Sequence, residues 1–237
     1  METEGSRLEG IGKVQTGSLR KQVYEKIKDL ILSNRLPPGQ DLTMDQIATE
    51  MGVSHTPIRE ALAMLELDGL VVMARHKTPQ VCPISPVDVQ EVYEMRALLE
   101  GCAAKEAAGS VTDQEINIVK EKLAHARREA GQGRFEASMD ADLYLHGLMV
   151  SIVENSLFQK LYQFVENQSI RIRTLVEARS PGRIDLILDE HDAIVAALQA
   201  RDPELTQTSV ASHLELAMER TLAALQTIDE KGDIPAI

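Results

Sequence analysis

The stretch from Leu42 to Val72 constrains the fold most, because its pattern is typical of two short helices joined by a sharp turn. Thr43, with Gln46 three residues later, matches the start of a capping box. Gly52 follows the apolar residues of the first helix and is expected to end that helix. Ser54 or Thr56 can cap the second helix.

The second helix carries the functional part of this pattern. Pro57 suits its first turn, and apolar residues then recur at helical spacing, at Ile58, Ala61, Leu62 and Leu65. A second helix at this spacing places its N-terminal residues in the DNA major groove. His55, Thr56 and Arg59 are therefore the predicted contacts to bases and phosphates. An ordinary helical hairpin is the alternative interpretation.

Two short apolar runs after the second helix favour the DNA-binding interpretation over an ordinary helical hairpin. Residues 69–73 and 81–84 flank a polar, basic tip that contains Arg75, His76 and Lys77. Apolar runs around such a tip predict a β-hairpin. The three basic residues at its tip are predicted to contact DNA, as the wing of a winged helix would.

These residues resemble the N-terminal domain of the GntR family of bacterial transcription regulators. The resemblance is carried by Pro37-Pro38-Gly39, Leu42, Ile47-Ala48, Gly52-Val53-Ser54, Thr56-Pro57-Ile58-Arg59-Glu60-Ala61-Leu62 and Gly69-Leu70-Val71. The chain departs from the family at His55, where the family has Arg, and at Thr78, where it has Gly at the wing tip. Histidine cannot form the bidentate contact that arginine makes to guanine, so the departure at His55 bears on the operator sequence.

The length and composition indicate two domains in a mostly helical protein. The chain has 237 residues, 43% of them hydrophobic but only 3% aromatic, and no tryptophan. We found no apolar run long enough to span a bilayer and no signal peptide, so a cytoplasmic location is expected. Cys82 and Cys102 show no metal-pair spacing and are expected to be free thiols, buried or half-buried.

The net charge of −12 is distributed unevenly. Residues 1–82 carry 10 Lys+Arg and 11 Asp+Glu, which leaves 15 and 26 for the remainder, so the two parts have net charges of −1 and −11. A near-neutral winged helix can bind DNA if its basic groups share one face. The candidates for that face are Arg20, Lys21, Arg59, Arg75 and Lys77.

The remaining pattern is helical throughout. We predict a flexible tail over residues 1–16, a winged helix-turn-helix domain of three helices and a β-hairpin over 17–82, a linker over 83–86, an all-α bundle of about six helices over 87–230, and a tail over 231–237. Ser85 and Thr112 are predicted helix caps, and Pro181-Gly182 is a predicted turn. The predicted fold class is therefore mainly α.

Four residues that can bind a metal fall on the apolar faces of three predicted helices. Asp142 and His146 are four residues apart on one helix, while His191 and His213 lie on the last two. A histidine on such a face is more often a hydrogen-bonded core residue, but three histidines and an aspartate together favour a metal site. Imidazole and carboxylate donors suit Zn, Ni, Mn or Fe, and the sequence does not distinguish them.

The second domain resembles the FCD domain of the FadR-type GntR subfamily. The resemblance is carried by Glu94-Met95-Arg96, Leu99-Glu100, Asp142 to His146, Asn155, Glu190-His191 and His213-Leu214. In that subfamily an aspartate and three histidines bind a divalent metal, whose free positions hold water or the carboxylate of a small organic acid. The resemblance implies that Asp142, His146, His191 and His213 are the metal ligands.

Arg96 lies on an apolar helix face and needs an anionic partner. The carboxylate of an effector and the side chain of Glu100, four residues later, are the two alternatives. A second group of arginines is expected to form a solvated or interface surface, and comprises Arg171, Arg173, Arg179 and Arg183.

Together these patterns predict a transcription regulator, not an enzyme. A homodimer would place two winged helices on a pseudo-palindromic operator in double-stranded DNA, with repression relieved by a small carboxylate that binds the metal and Arg96. The alternative is a helical metalloenzyme acting on a small organic acid, but Glu190 is expected to point away from the site, which leaves it without a general base. A purely structural metal is a third possibility.

Overall fold

The computed structural model describes residues 17–134, 136–179 and 184–230. Over these ranges the chain forms helices and one antiparallel hairpin, in the order α1 (Gly17–Leu32), α2 (Met44–Met51), α3 (His55–Leu67), β1 (Val71–Val72), β2 (Gln80–Val81), α4 (Pro86–Ser110), α5 (Asp113–Ala130), α6 (Glu136–Ser151), α7 (Ser156–Arg179), α8 (Ile184–Gln199) and α9 (Pro203–Glu230). The prediction of a winged helix-turn-helix followed by a bundle of about six helices is confirmed.

The N-terminal unit is built around α1 and α3, which pack against each other. Its buried side chains come from α1, from the predicted repeat of α3, from the segment before α2 and from the hairpin and its flank, at Val23, Ile27, Ile31, Leu42, Ile58, Ala61, Leu62, Leu65, Leu70, Val71 and Val81. Burial of this apolar area, at about 25 cal/mol per Å², is the main force that holds the three helices together.

The turn between α2 and α3 differs in detail from the prediction. Gly52 adopts the left-handed conformation (φ 65°) that ends α2, as predicted. The predicted capping box at Thr43 does not form, because its side chain makes no capping hydrogen bond. Ser54 occupies the N-cap of α3 but also makes no side-chain cap bond. Side-chain N-capping therefore does not hold this turn, whereas Gly52 caps the end of α2 with its backbone amide, which donates to the carbonyl of Ala48.

The wing is a minimal hairpin. Val71 pairs with Val81 and Val72 with Gln80. The backbone turns at the tip, where the amide of Lys77 donates to the carbonyl of Ala74 (3.1 Å) and His76 has a positive φ of 60°. The left-handed residue of the tip is thus His76 and not Thr78, so the threonine causes no backbone strain there.

Helices α4 to α9 form the bundle, in which α4 packs along α9 and α8 packs against both α5 and α9. Capping boxes start two of these helices, as predicted: Ser85 with Asp88 at α4 and Thr112 with Glu115 at α5. The bundle has its own continuous apolar core, to which all six helices contribute.

Helix α7 connects the bundle to the N-terminal unit. The side-chain amide of Gln168 donates to the backbone carbonyl of Asp68 (2.8 Å), the residue that follows α3. Arg171 donates to the carbonyls of Cys82 (2.8 Å) and Pro83 (3.3 Å). Position 69 has little room for a side chain, since a Cβ atom there would lie 3.2 Å from Nε2 of Gln168.

The predicted tails at 1–16 and 231–237 and the predicted turn at Pro181-Gly182 lie outside the described residues. Within the described ranges, no helix has both the length and the apolar character that a membrane span requires. Of the two cysteines expected to be buried or half-buried, Cys82 is half-buried but Cys102 is exposed.

Candidate metal centre and ligand cavity

Four buried side chains converge inside the bundle. Asp142 and His146 come from α6, His191 from α8 and His213 from α9, and one potential ligand atom from each lies within 4.8 Å of all the others. We call these four residues the Asp/His cluster. The i, i+4 spacing on α6 places the first two side by side, and the packing of α8 and α9 brings the other two to them.

The ring orientations in the Asp/His cluster direct nitrogen atoms toward Asp142. Its Oδ1 atom lies 3.4 Å from Nε2 of His191 and 3.8 Å from Nε2 of His146. Both ring nitrogens of His191 are buried without a formed hydrogen bond among the described residues. A buried polar atom without a partner is costly, and coordination of an ion would remove that cost.

Two carboxylates lie behind the histidines, on their Nδ1 side. Oε2 of Glu190 is 2.9 Å from Nδ1 of His213, in a hydrogen bond. Oε2 of Glu100 is 2.5 Å from Nδ1 of His146, a close contact without hydrogen-bond alignment. The expectation that Glu190 points away from the site is therefore wrong. Its neighbour His191 faces inward, but α9 packs over the adjacent face of α8 and brings His213 to Glu190.

The surroundings set protonation states that suit a metal. Burial lowers the pKa of His213 to about 3, against the opposing effect of Glu190. Burial also lowers the pKa of His191. For Asp142, burial alone would raise the pKa, but Arg173 and His146 outweigh it and hold the pKa well below its usual value. Two neutral imidazoles and an ionised carboxylate at neutral pH are the forms that bind divalent ions.

The donor chemistry of the Asp/His cluster therefore fits a divalent metal. Three imidazoles and one carboxylate without a thiolate suit Zn, Ni, Mn or Fe, and the donor set does not distinguish among them. A full set of four protein donors can still leave open positions if the ion takes five or six ligands.

Arg173 contacts the cluster directly, which corrects its prediction as a surface residue. Its guanidinium pairs with Oδ2 of Asp142. Arg171 is also buried, in its contact with the linker. The side chain of Arg179 and the whole of Arg183 lie outside the described residues. No sequence pattern indicated this role of Arg173, since a group of four nearby arginines is more often solvated.

Arg96 is buried and has an anionic partner within the chain. Its Nε atom lies 2.6 Å from Oε1 of Glu100, and Nη1 donates to Ser169 (3.2 Å). Of the two alternatives for the anionic partner of Arg96, the structure therefore shows Glu100. Burial would raise the pKa of Glu100, but Arg96 and His146 outweigh it and lower the pKa to about 2.

A cavity of about 540 Å³ opens beside the Asp/His cluster. Asp142 and His213 reach its wall, and three guanidinium groups line it, from Arg96, Arg173 and Arg220. The rest of the wall is largely apolar and includes Val176, Ile184, Leu186, Ile187, Ala217 and Ala223. This combination suits a small molecule with an anionic group and an aliphatic body.

The predicted DNA contacts lie on the exposed surface of the N-terminal unit. His55, Thr56 and Arg59 are exposed on the first turns of α3, and Arg75, His76 and Lys77 are exposed at the tip of the wing. His55 makes a local contact, with Nε2 2.9 Å from Oδ1 of Asp45. Both groups of side chains are thus at the surface, with His55 also in contact with Asp45.

Comparisons with known proteins agree with this architecture. The family described as bacterial regulatory proteins, gntR family, matches residues 19–78, and the FCD domain matches residues 91–216. The chain is 26% identical over 193 residues to the HTH-type transcriptional regulator YdhC of Bacillus subtilis, covering 81% of this chain and 86% of that protein.

A second relative is the HTH-type transcriptional repressor RspR of Escherichia coli, 23% identical over 201 residues and covering 84% of this chain and 87% of the relative. The solved structure of E. coli McbR/YncC has the same fold, with a TM-score of 0.71 at 22% identity, over 86% of this chain and 97% of that one.

The matched families and relatives are transcription regulators and not enzymes, which removes the support for the metalloenzyme alternative. FCD domains commonly bind metal, and GntR regulators bind DNA and typically dimerise. Because the FCD match spans more than half of the chain and the gntR match precedes it, this protein belongs to the GntR family of transcription regulators and carries an FCD domain.

Proposed function

We propose that this regulator is a repressor whose affinity for its operator is controlled by a small carboxylate bound in the bundle. The observation that carries the proposal is the Asp/His cluster, which lies on the wall of a cavity that also presents three guanidinium groups. The similarity to the repressor RspR supports repression over activation.

DNA binding would use two exposed groups of side chains. His55, Thr56 and Arg59 would enter the major groove at the N-terminus of α3, while Arg75, His76 and Lys77 would contact the backbone or the adjacent minor groove. Since His55 occupies the first helical position, its imidazole can donate or accept a single hydrogen bond there. This difference would alter the base preference of the protein and not its ability to bind DNA.

In the bundle, Asp142, His146, His191 and His213 would hold the divalent ion. An ion held there supplies Lewis-acid binding for a carboxylate oxygen. The guanidinium groups of Arg96, Arg173 and Arg220 would attract the anion into the cavity and orient it. Each of the three already has a carboxylate partner, at Glu100, Asp142 and Glu190 respectively, so the effector would share these cations and not neutralise a free charge.

We also propose the division into a DNA-binding domain (17–82), a linker (83–86) and a ligand-binding domain (87–230). The two separate apolar cores support it. Helix α7 would transmit the signal between them, because Arg173 on its C-terminal half contacts Asp142 while Arg171 and Gln168 contact the linker and the end of α3. Displacement of Arg173 by an effector would move these contacts with it.

A Gln168→Ala variant tests this route. We expect the change in operator affinity caused by the effective acid, about 1–3 kcal/mol in such systems, to fall to less than half of its wild-type value. The reason is that the hydrogen bond from α7 to the carbonyl of Asp68 is lost while the cavity is untouched. Fluorescence anisotropy of a labelled operator, with and without the acid, measures the change.

Gln163→Ala provides the matched control, since Gln163 lies on α7 and its hydrogen bonds within the described part of the chain go to Glu166 and Asn167 on the same helix. Full response in the Gln168 variant would exclude this hydrogen bond from signal transmission.

A homodimer fits both the operator symmetry and the surface of the bundle. Large apolar side chains are exposed along one stripe of α7 and on α4, at Met95, Leu98, Leu157, Leu161 and Phe164. Met95 and Phe164 line the same surface groove. Exposed large apolar side chains grouped in this way are typical of a protein interface. Light scattering of the purified protein should give twice the mass of one chain.

The experiment that tests the proposed function is an operator titration. Binding to the upstream DNA of the gene is measured with and without a panel of small carboxylates, before and after removal of metal by a chelator. We expect one acid to release the DNA, and only from the metal-loaded protein. Release that is equally efficient after chelation would exclude the metal from effector binding, and unfolding on chelation would indicate a structural metal.

A further inference from the structure

Glu190 joins a member of the Asp/His cluster to a cavity residue. One of its oxygens accepts a hydrogen bond from Nδ1 of His213 (2.9 Å). The same carboxylate accepts two bonds from Arg220, from Nη1 (2.6 Å) and Nη2 (2.8 Å). The bidentate contact with Arg220 fixes the plane of the carboxylate, so that the direction in which it faces His213 is fixed as well.

Glu100 is placed in a similar way behind His146. It contacts Nδ1 of that ring at 2.5 Å and is paired with Arg96 through Nε (2.6 Å) and Nη2 (3.4 Å). The pattern of arginine, glutamate and histidine thus occurs twice around the cluster, from different helices. In both cases the Nδ1 side of the ring is occupied and the Nε2 side remains for the centre of the cluster.

We propose that Glu190 is a positioning residue of the metal centre, and that Glu100 supports the ring of His146 through its close contact on the Nδ1 side. An ionised carboxylate can only accept hydrogen bonds, so Nδ1 of a neutral His213 must carry the ring proton. The lone pair is then on Nε2, which is the ligand form of the ring. The inference rests on the proposed metal binding and adds to it the residues that select the tautomer and the orientation of the ligands.

The test uses Co²⁺ as the probe and the full-length protein. Glu190→Ala is expected to raise the dissociation constant for Co²⁺ by about 10–100-fold, the range for loss of such outer partners. Glu190→Gln should restore at least part of the loss, because the amide oxygen still accepts from Nδ1. Absorption of the bound ion, in competition with a chelator of known affinity, gives the dissociation constants.

Two control variants separate the positioning of His213 by Glu190 from the ion pair that Glu190 forms with Arg220. Asp189→Asn removes a carboxylate from the adjacent residue of α8, where Asp189 pairs with Arg127 at the surface (2.8 Å), and should leave Co²⁺ binding within twofold of wild type. Arg220→Gln breaks the ion pair but leaves the acceptor on His213, and should have a smaller effect than Glu190→Ala. Glu190 is preferred to Glu100 as the test site because removal of Glu100 would leave Arg96 buried without its counter-charge.

A spectroscopic signature provides the second measurement. In the Co²⁺-loaded protein, the Nδ1 proton of each ligating histidine gives a paramagnetically shifted, exchangeable NMR signal. One such signal should shift and exchange faster in Glu190→Ala, but keep its place in Asp189→Asn.

If wild type binds no Co²⁺, the metal site and this inference both fail. If wild type binds Co²⁺ and Glu190→Ala binds it within twofold of wild type, with unchanged signals, this inference alone is overturned.

Discussion

Replacement of His191 with alanine is expected to remove most of the bound metal. His191 is fully buried, and both of its ring nitrogens lack a formed hydrogen bond within the described residues. Loss of a direct donor should weaken metal affinity more than the roughly 10–100-fold expected for an outer partner. Elemental analysis after dialysis, beside wild type and the exposed His125→Ala control, measures the occupancy. Equal metal content in the His191 variant would exclude it as a ligand.

The same variant distinguishes a sensing metal from a structural one. If the ion serves effector binding, His191→Ala should bind the operator nearly as wild type does in the absence of acid, but should not release it when acid is added. If the ion holds the bundle together, the variant should lose both metal and cooperative thermal unfolding, since binding to the native state alone contributes to stability. Circular dichroism melting curves on both proteins decide between the two roles.

Replacement of Arg59 with alanine is expected to weaken operator binding by about 1–3 kcal/mol. Arg59 is exposed on the second turn of α3, and no ion pair holds it away from DNA among the described residues. Because the Asp/His cluster lies in the other domain, metal content should not change. Arg128→Ala, which removes the same charge from the exposed surface of α5, is the matched control and should bind the operator as wild type does.

The salt dependence of binding identifies what Arg59 contacts. If its guanidinium meets a phosphate, the variant should lose about one unit from the slope of log K against log salt. If it meets a base edge, the slope should stay close to wild type while discrimination between operator variants falls. A variant with full affinity and an unchanged slope would remove Arg59 from the interface.

The helices and their inward faces could be predicted from the sequence. Apolar residues at helical spacing predicted α3, and the caps at Ser85 and Thr112 predicted the starts of α4 and α5. The placement of Asp142 beside His146 also follows from their spacing on one helix. Such features depend on residues within one or two turns of each other, so the local sequence is sufficient to determine them.

The tertiary structure decided which side chains meet across helices. Arg173 pairs with Asp142 on α6, Glu190 bonds to His213 on α9, and Glu100 contacts His146, although none of these pairs is close in sequence. Such contacts depend on the rotation and the axial offset at which two helices pack, and these are set by the whole core and not by either helix. The four members of the Asp/His cluster could therefore be predicted from the sequence, while the neighbouring arginines and carboxylates and the cavity beside the cluster were determined only by packing.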